Sequence, residues 1–425
     1  MVIYNLIDNN GNFTRGNEKM INIGLLGLGT VGTGVLKILE KRKEELIKIT
    51  GDDINIKKIL VRDLAKKRDI ELEGGIITDN FDEILKDEDI TIIVEVTGDL
   101  EEGYKYVSES LRAGKHVVTA NKALVSKYFE ELSDLAHKKK LALLYEASVG
   151  GGIPVIKPLK ELIPFNDIKE VRGILNGTCN YILTRMEEGL DYAEALKIAQ
   201  EQGFAEADPT DDVEGLDTRR KLRILGTLAL QGQMPEENII VRGISNITAF
   251  DISNINKMGA SVKLIGEVKS CEGGYTAIVE PVIVESSSPF YNVGYEENAV
   301  FVKGDNVGDL MFYGNGAGML PTANAVLCDL MDIIAGSYRL NNPLGNKKLM
   351  DLSLAIKGSY YLRISKINGE LMDVFKSLAD KVLSTGAQFA LVTKHILRKD
   401  LIDLFENLGI EEKDYFIAKF DKINT

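Results

Sequence analysis

The feature that most constrains this chain is a glycine turn set between a strand and a helix. Residues 20–26 form an apolar run of the kind buried in a parallel sheet. Gly27-Leu28-Gly29-Thr30-Val31-Gly32 follows, and from Val31 to about Lys48 the spacing predicts a helix. In a G-x-G-x-x-G turn the first glycine makes the bend, the second lets backbone approach a pyrophosphate, and the third lets helix lie close on strand. The phosphates then meet the free N–H groups and positive dipole end of the helix. With 40 glycines in 425 residues the pattern alone is weak. Its place after a strand and before a helix favours dinucleotide binding over a plain turn.

The alternation continues. Strands are predicted at 54–61, 90–96, 115–119 and 141–145, with helices at 100–113 and 123–139. This predicts a Rossmann-type doubly wound parallel sheet over residues 20–145. After Glu146 the pattern changes, with three glycines at 150–152 and then Pro154 and Pro158. Helices at 193–202 and 217–231 and strands at 277–285 and 299–303 predict a second, α+β domain over 146–310. Residues 311–340 are expected to return to the first domain and 341–348 to link onward. The C-terminal part reads strand 360–364, helix 371–381, strand 389–393, helix 401–408, strand 415–420. Residues 1–19 form a polar leader to which no function is attached.

Charge and cysteine usage remove several classes. The net charge is −13 with no basic block, which argues against nucleic acid or an anionic membrane as partner. No stretch approaches the ~20 apolar residues of a membrane span, and the N-terminus lacks the basic lead and apolar run of a secretory signal. Cys179, Cys271 and Cys328 make no C-x-x-C pair, so a disulfide framework or zinc site is not expected, and a reducing cytoplasm fits. With His116, His137 and His395 the only histidines, acid–base work falls to carboxylates or lysines.

The end of the second strand bears on the cofactor. A lone acidic residue there would bind the ribose 2′-hydroxyl of NAD, whereas a guanidinium suits the 2′-phosphate of NADP. Arg62 precedes Asp63, and Lys66, Lys67 and Arg68 follow. NADP is favoured, Asp63 keeps NAD open, and most of the lysines fit a solvated face.

Three stretches concentrate polar groups. Thr119-Ala120-Asn121-Lys122 lies just past a strand, where open sheets bind ligands, or else simply starts a helix with a surface lysine. Residues 173–182 run from a strand into a turn that either holds a substrate polar group or caps a helix through Thr178. In residues 206–221, Asp217 and Lys221 stand four apart on one helix face, which by spacing alone is an ordinary i,i+4 salt bridge, and the acidic run reads equally as a solvated turn.

These motifs together, with Y-E-A-S-V-G-G-G-I-P at 145–154 and Y-G-N-G-A-G-M-L-P-T-A at 313–323, resemble homoserine dehydrogenase over roughly residues 20–345. No kinase-sized region precedes the sheet, so the monofunctional form is expected. The resemblance implies reversible reduction of L-aspartate 4-semialdehyde to L-homoserine, in threonine, methionine and isoleucine biosynthesis. It implies Lys221 as proton donor and acceptor, Lys122 beside cofactor and substrate, and Asp217 binding substrate and holding Lys221. Glu206, Asp212 and Thr178 would hold the amino-acid head. Thr97 and Gly318 would join Gly27 to Gly32, Arg62 and Lys122 at the cofactor. Glu146 with the carbonyls of Val149, Gly151 and Ile153 would form a structural sodium site, whose oxygen-only ligands suit a hard cation. The second domain would serve catalysis and dimerisation, giving a homodimer or higher oligomer.

A lysine must be neutral to accept a proton, so its usual pKa of ~10.4 has to fall. Lys122 and partial burial would lower it, while Asp217 would oppose this. Residues 355–425 resemble a shortened ACT domain. Ser359-Tyr-Tyr-Leu-Arg-Ile-Ser matches its first strand, but the ligand loop appears as Lys366-Ile-Asn368-Gly369-Glu370-Leu371, without the usual proline, and 381–389 leaves little room for a second strand. Two other readings compete. A glucose–fructose type oxidoreductase would carry E-K-P where this chain has Asn121-Lys122-Ala123, and an NADP-sensing regulator would be expected to have lost Lys221 or Asp217.

Overall fold

A computed structural model describes residues 20–68, 70, 75–338, 347–386 and 388–421. The leader 1–19 and most of the expected linker 341–348 lie outside the described residues. Contacts group the chain into two units, Met1–Pro154 with Ala317–Gly345, and Val155–Gly316 with Asn346–Thr425.

The first unit holds strands β1 (Met20–Leu26), β2 (Asp53–Leu60), β3 (Ile77–Thr78), β4 (Ile90–Glu95), β5 (His116–Thr119) and β6 (Leu143–Leu144). They run parallel in the order β3-β2-β1-β4-β5-β6, the doubly wound arrangement expected. Its core is aliphatic, with Ile23, Leu25 and Val94 fully buried. The helix foreseen from Val31 to Lys48 is two, α1 (Thr30–Lys41) and α2 (Lys43–Thr50), separated at Arg42, whose backbone leaves helical values. Helix α1 buries four residues and α2 none, and α2 meets the core only through partly buried Leu46. After α3 (Glu101–Arg112), the predicted helix 123–139 likewise divides, at Tyr128, into α4 (Lys122–Lys127) and α5 (Phe129–Lys139).

The returning segment begins at Ala317, not 311, because Gly308–Asn315 is a strand of the other unit's sheet. Its helix, Met319–Ala335, packs on α1, and a Cβ on Gly34 would lie 2.7 Å from the Met319 carbonyl oxygen, so glycine permits the approach. Residues 146–154 stay with the first unit rather than opening the second. The Glu146 N–H donates to Asp329 Oδ2 of the returning helix at 2.8 Å.

The second unit is built on one mixed sheet. Its strands are β7 (Ile168–Ile174), β8 (Ala260–Cys271), β9 (Gly274–Glu285), β10 (Glu297–Gly304), β11 (Gly308–Asn315), β12 (Tyr360–Ile364), β13 (Ala379–Thr385), β14 (Phe389–Thr393) and β15 (Tyr415–Phe420). The order is β11-β10-β7-β8-β9-β15-β12-β14-β13. Helices α6 (Gly177–Glu187) and α7 (Leu216–Leu230) lie against β7, β8 and their neighbours.

The C-terminal segment differs from expectation in one place. Its first helix, α8 (Gly369–Leu378), stops three residues early, and β13 fits between it and β14 after all. Register breaks at Ala379/Lys381 and Val382/Ser384 let the strand pair with β14 over a short loop. With α9 (Arg398–Asn407), the segment runs βαββαβ, and its strands lie in the order fourth, first, third, second. It has an aromatic core of its own around Phe375, Phe389 and Phe405.

The seam to the rest of the sheet has little backbone in it. Strands β9 and β15 pair at only Val282/Lys419 and Ile283/Phe420. Ion pairs supplement it: Arg172 with Asp421 at 2.6 Å, Arg398 with Glu280 at 3.0 Å, and Arg363 Nε at 3.0 Å from both oxygens of Asp251. Glu267 meets Lys419 at 3.3 Å and Lys269 at 2.8 Å. Burial alone would raise the Glu267 pKa, but the two ammonium charges outweigh it and hold the group at about 2, against an ordinary 4.5. A carboxyl depressed in the folded state stabilises above its unfolded pKa and loses that contribution as pH falls toward the folded value. The melting temperature is therefore expected to drop from about pH 4.5 toward 2. Glu267→Gln should lower it at pH 7 and flatten the acid limb in a thermal-shift series. An acid limb equally steep in the variant would reject this account.

Candidate active site

In the first unit the strand ends and the glycine turn enclose a cleft of about 650 Å³. Gly27 sits at φ +103°, and a Cβ there would come within 2.9 Å of the Val96 carbonyl oxygen. A Cβ on Gly32 would lie 2.3 Å from the Gly27 oxygen. Gly29 differs, since nothing lies within 4 Å of its missing side chain. Two glycines thus serve packing, and the middle one leaves open space at the start of α1. No side chain caps α1 and no acidic residue stands in its first turn, Thr30 to Gly32 included, which suits an anion at those N–H groups.

Leu28, Arg62, Asp63 and Thr97 also line the cleft. Arg62 donates through Nε and Nη2 to Glu102 Oε2, at 3.0 and 2.7 Å, and through Nη2 to Asp99 at 2.7 Å. The side chains of Glu102 and Asp99 raise its pKa. The Asp63 carboxylate accepts the Ala65 N–H, and Arg68 folds back onto the carbonyls of Asp63 and Lys66. Gly318, at φ +120°, precedes the returning helix.

Past β5, the Asn121 side chain accepts the Leu124 N–H and so caps α4, of which Lys122 is the first residue. The helix start foreseen there as the plain alternative is real and puts Lys122 at the end of the sheet. Glu95, at the end of β4, takes hydrogen bonds from Thr97 and Thr119. A sequence reading passed over this carboxylate because it sits inside an apolar strand. On the loop after β6, Glu146 and Val149 are buried, as is Ile153, and Gly150 and Gly151 adopt positive φ.

The second unit gathers a separate polar cluster. Lys221 Nζ lies 2.7 Å from Asp217 Oδ2 and donates to the Leu175 carbonyl at 2.7 Å. Both side chains are nearly enclosed, at 11% and 3% exposure, so this is no surface pair. Burying it is tolerable only with further hydrogen bonds. Asn176 supplies them, donating to Asp217 Oδ2 at 2.9 Å and to Asp212 Oδ1 at 2.6 Å. Its oxygen accepts the Cys179 N–H and caps α6.

Asn176, not Thr178, is therefore the cap. The Thr178 hydroxyl instead donates to the Phe204 carbonyl at 2.6 Å. A Cβ on the next residue, Gly177, would strike the Glu296 carbonyl at 2.6 Å, so glycine there permits the close approach at the start of α6. Burial and the carboxylates of Asp212, Asp217 and Glu214 hold the Cys179 thiol well above its usual pKa, which makes it a poor nucleophile. Glu206 stays exposed on the loop before the short helix Thr210–Val213. Among the described residues, no cluster of three or more histidine, cysteine or acidic groups could hold a metal, and no helix is long and apolar enough to cross a membrane.

A parallel sheet with this turn and an open cleft over its strand ends, joined to a second unit carrying a buried lysine–carboxylate cluster, defines a two-unit, nicotinamide-dependent oxidoreductase. The family model for the homoserine dehydrogenase NAD-binding domain matches residues 27–146, and that for homoserine dehydrogenase itself matches residues 154–331. The homoserine dehydrogenase of Bacillus subtilis is 44% identical over 317 residues, 74% of this chain and 73% of that one. The crystal structure of a homoserine dehydrogenase from Thiobacillus denitrificans has a TM-score of 0.86 at 35% identity, covering 95% of this chain and 99% of that chain. A hyperthermophilic archaeal homoserine dehydrogenase in complex with NADPH has a TM-score of 0.64 at 25% identity, over 76% of this chain and 100% of that chain. The chain belongs to the homoserine dehydrogenase family. It is an oxidoreductase of amino-acid biosynthesis that interconverts L-aspartate 4-semialdehyde and L-homoserine.

Asn176→Ala removes a helix cap and two donors to buried carboxylates at once. We expect it to cost about 1–3 kcal/mol of stability and to lower kcat/KM for homoserine at least tenfold. Denaturant titration and initial rates check this, and a variant with wild-type kcat/KM would rule Asn176 out as the organiser of the cluster.

Proposed function

We infer that Lys221 is the proton donor and acceptor of this dehydrogenase. The carrying observation is its buried contact with Asp217, braced by Asn176 and the Leu175 carbonyl. When bound, the nicotinamide supplies the hydride donor or acceptor. In aldehyde reduction the Lys221 ammonium gives a proton to the forming hydroxyl oxygen. In oxidation the neutral amine takes that proton back, and the amine must first leave its ion pair with Asp217. Asp217 orients Lys221 and binds substrate, while Glu206, Asp212 and Thr178 hold the amino-acid head. The Asp212 contact with Asn176 supports its part in this. Lys122, at the start of α4, stands beside cofactor and substrate.

Gly27 to Gly32, Arg62, Thr97 and Gly318 hold the cofactor. Arg62 in the cleft favours NADP, and the NADPH bound by the archaeal relative agrees with that choice. Glu146 and the carbonyls of Val149, Gly151 and Ile153 bind a structural sodium ion. A buried carboxylate on a loop bent by two positive-φ glycines is a donor set that fits a hard cation. The C-terminal segment is a complete ACT-like domain rather than a shortened one, which its βαββαβ order supports. The enzyme works in the cytoplasm as a homodimer or higher oligomer.

Lys221→Ala should abolish turnover while leaving NADPH binding, read by cofactor fluorescence, intact; retained kcat would refute the assignment. Because oxidation needs the neutral amine and reduction the charged one, the oxidation rate should climb between pH 7 and 10, with reduction already efficient at pH 7. A flat oxidation profile across that range would oppose it. Parallel assays with NADP and NAD test the cofactor preference.

A further inference from the structure

Glu95 has no part in the roles assigned above, yet it is fully buried at the end of β4, where an unpaired carboxyl would be costly. Its Oε1 accepts the Thr97 N–H at 2.8 Å and the Thr97 hydroxyl at 2.6 Å. Its Oε2 accepts the Thr119 hydroxyl at 2.6 Å. Burial pushes the carboxyl pKa up, and the donors from Thr119, Thr97 and Asn121 pull it back. Thr119 Oγ1 in turn accepts the Asn121 N–H at 3.0 Å. One buried carboxyl group therefore ties the loop after β4 to the loop after β5.

This geometry sets the polarity of a hydrogen bond. Oε1 accepts both the Thr97 amide and the Thr97 hydroxyl, so the hydroxyl commits its single hydrogen to Oε1. Half-buried Thr97 lines the cleft. There its hydroxyl has only lone pairs to offer. We propose that Glu95 is a positioning residue for cofactor binding, holding the Thr97 hydroxyl as an acceptor for a donor group of the dinucleotide. That donor is a ribose hydroxyl or the carboxamide NH₂ of the nicotinamide. The proposal rests on the reading of this cleft as the cofactor site. It adds that Thr97 receives a hydrogen there and that Glu95 acts only through it.

The test is fluorescence titration of NADPH into the full-length protein and its variants, with melting temperatures measured alongside. Glu95→Ala and Thr97→Val should each weaken binding about five- to tenfold, as expected for one hydrogen bond. Glu95→Gln, whose amide oxygen can still accept both Thr97 donors, should restore most of the affinity. The Glu95→Ala/Thr97→Val double variant should bind no more weakly than Thr97→Val alone. A Glu95→Ala penalty that persists undiminished in the Thr97→Val background overturns the proposal, because general damage to the fold would add. Should Glu95→Ala not fold, Thr97 decides: Thr97→Ser should bind as wild type, and Thr97→Val with unchanged affinity overturns it. A 3-acetylpyridine cofactor analogue, which lacks the NH₂ group, identifies the donor. Loss of the Thr97→Val penalty with the analogue assigns the carboxamide, and its persistence assigns the ribose. Gly29→Leu tests the underlying reading, since a Cβ at this position meets nothing within 4 Å, and its melting temperature is measured beside the wild type. If it leaves NADPH binding intact, the cleft assignment fails. If it blocks binding while Thr97→Val does not weaken it, only the present inference fails.

Discussion

The chemistry proposed for this protein rests on a lysine and a carboxylate held together where water is scarce. Removing two charges from water costs more than their attraction returns unless their remaining hydrogen-bonding capacity is met. Asp217 and Lys221 meet much of that condition locally, through Asp217 Oδ2 and the lysine ammonium. They share a helix face, and the approaching end of β7 brings the Leu175 carbonyl and the Asn176 amide to them. The same asparagine caps α6, so the segment that starts the helix also fixes the ion pair. A lysine held this way has one geometry instead of many, which a proton-transfer group requires.

The first unit solves a related problem with different groups. Its sheet ends in loops, and loops are mobile unless anchored. Glu95 anchors two of them through threonine hydroxyls and one amide. The glycine turn is held by contact, since at Gly27 and Gly32 a methyl group would collide with backbone oxygen. In both units polar groups at strand ends are fixed by buried hydrogen bonds. The seam at β15 follows another rule. Two residue pairs of backbone contact are supplemented by ion pairs, which makes attachment of the C-terminal segment sensitive to acid in a way that an aliphatic core is not.

Much of this was legible along the chain. The glycine turn, the alternation that builds the first sheet, and the four-residue spacing of Asp217 and Lys221 are local signals. They depend on period and on turn geometry, which a sequence displays directly. The helix breaks at Arg42 and Tyr128 were not legible, because helical periodicity runs across them and only the limit of the core shows where the first helix stops. Strand β13 was missed because its alternation is weak: its residues are half-buried or exposed on the sheet's edge. Glu95 and Asn176 escaped notice for a shared reason, since each matters through partners far away in sequence.

By itself, then, the sequence determined the class of the first domain, the place of its glycine turn, and the presence of a lysine and aspartate on one helical face. Those properties arise within a few turns of chain. Only the tertiary structure decided that the lysine–aspartate pair is buried rather than solvated, that Asn176 rather than Thr178 caps the helix, and that Glu95 takes the hydroxyl donors of Thr97 and Thr119. The physical reason is desolvation. Whether a charge costs or contributes depends on what surrounds it, and those neighbours are assembled from segments that the chain order keeps apart.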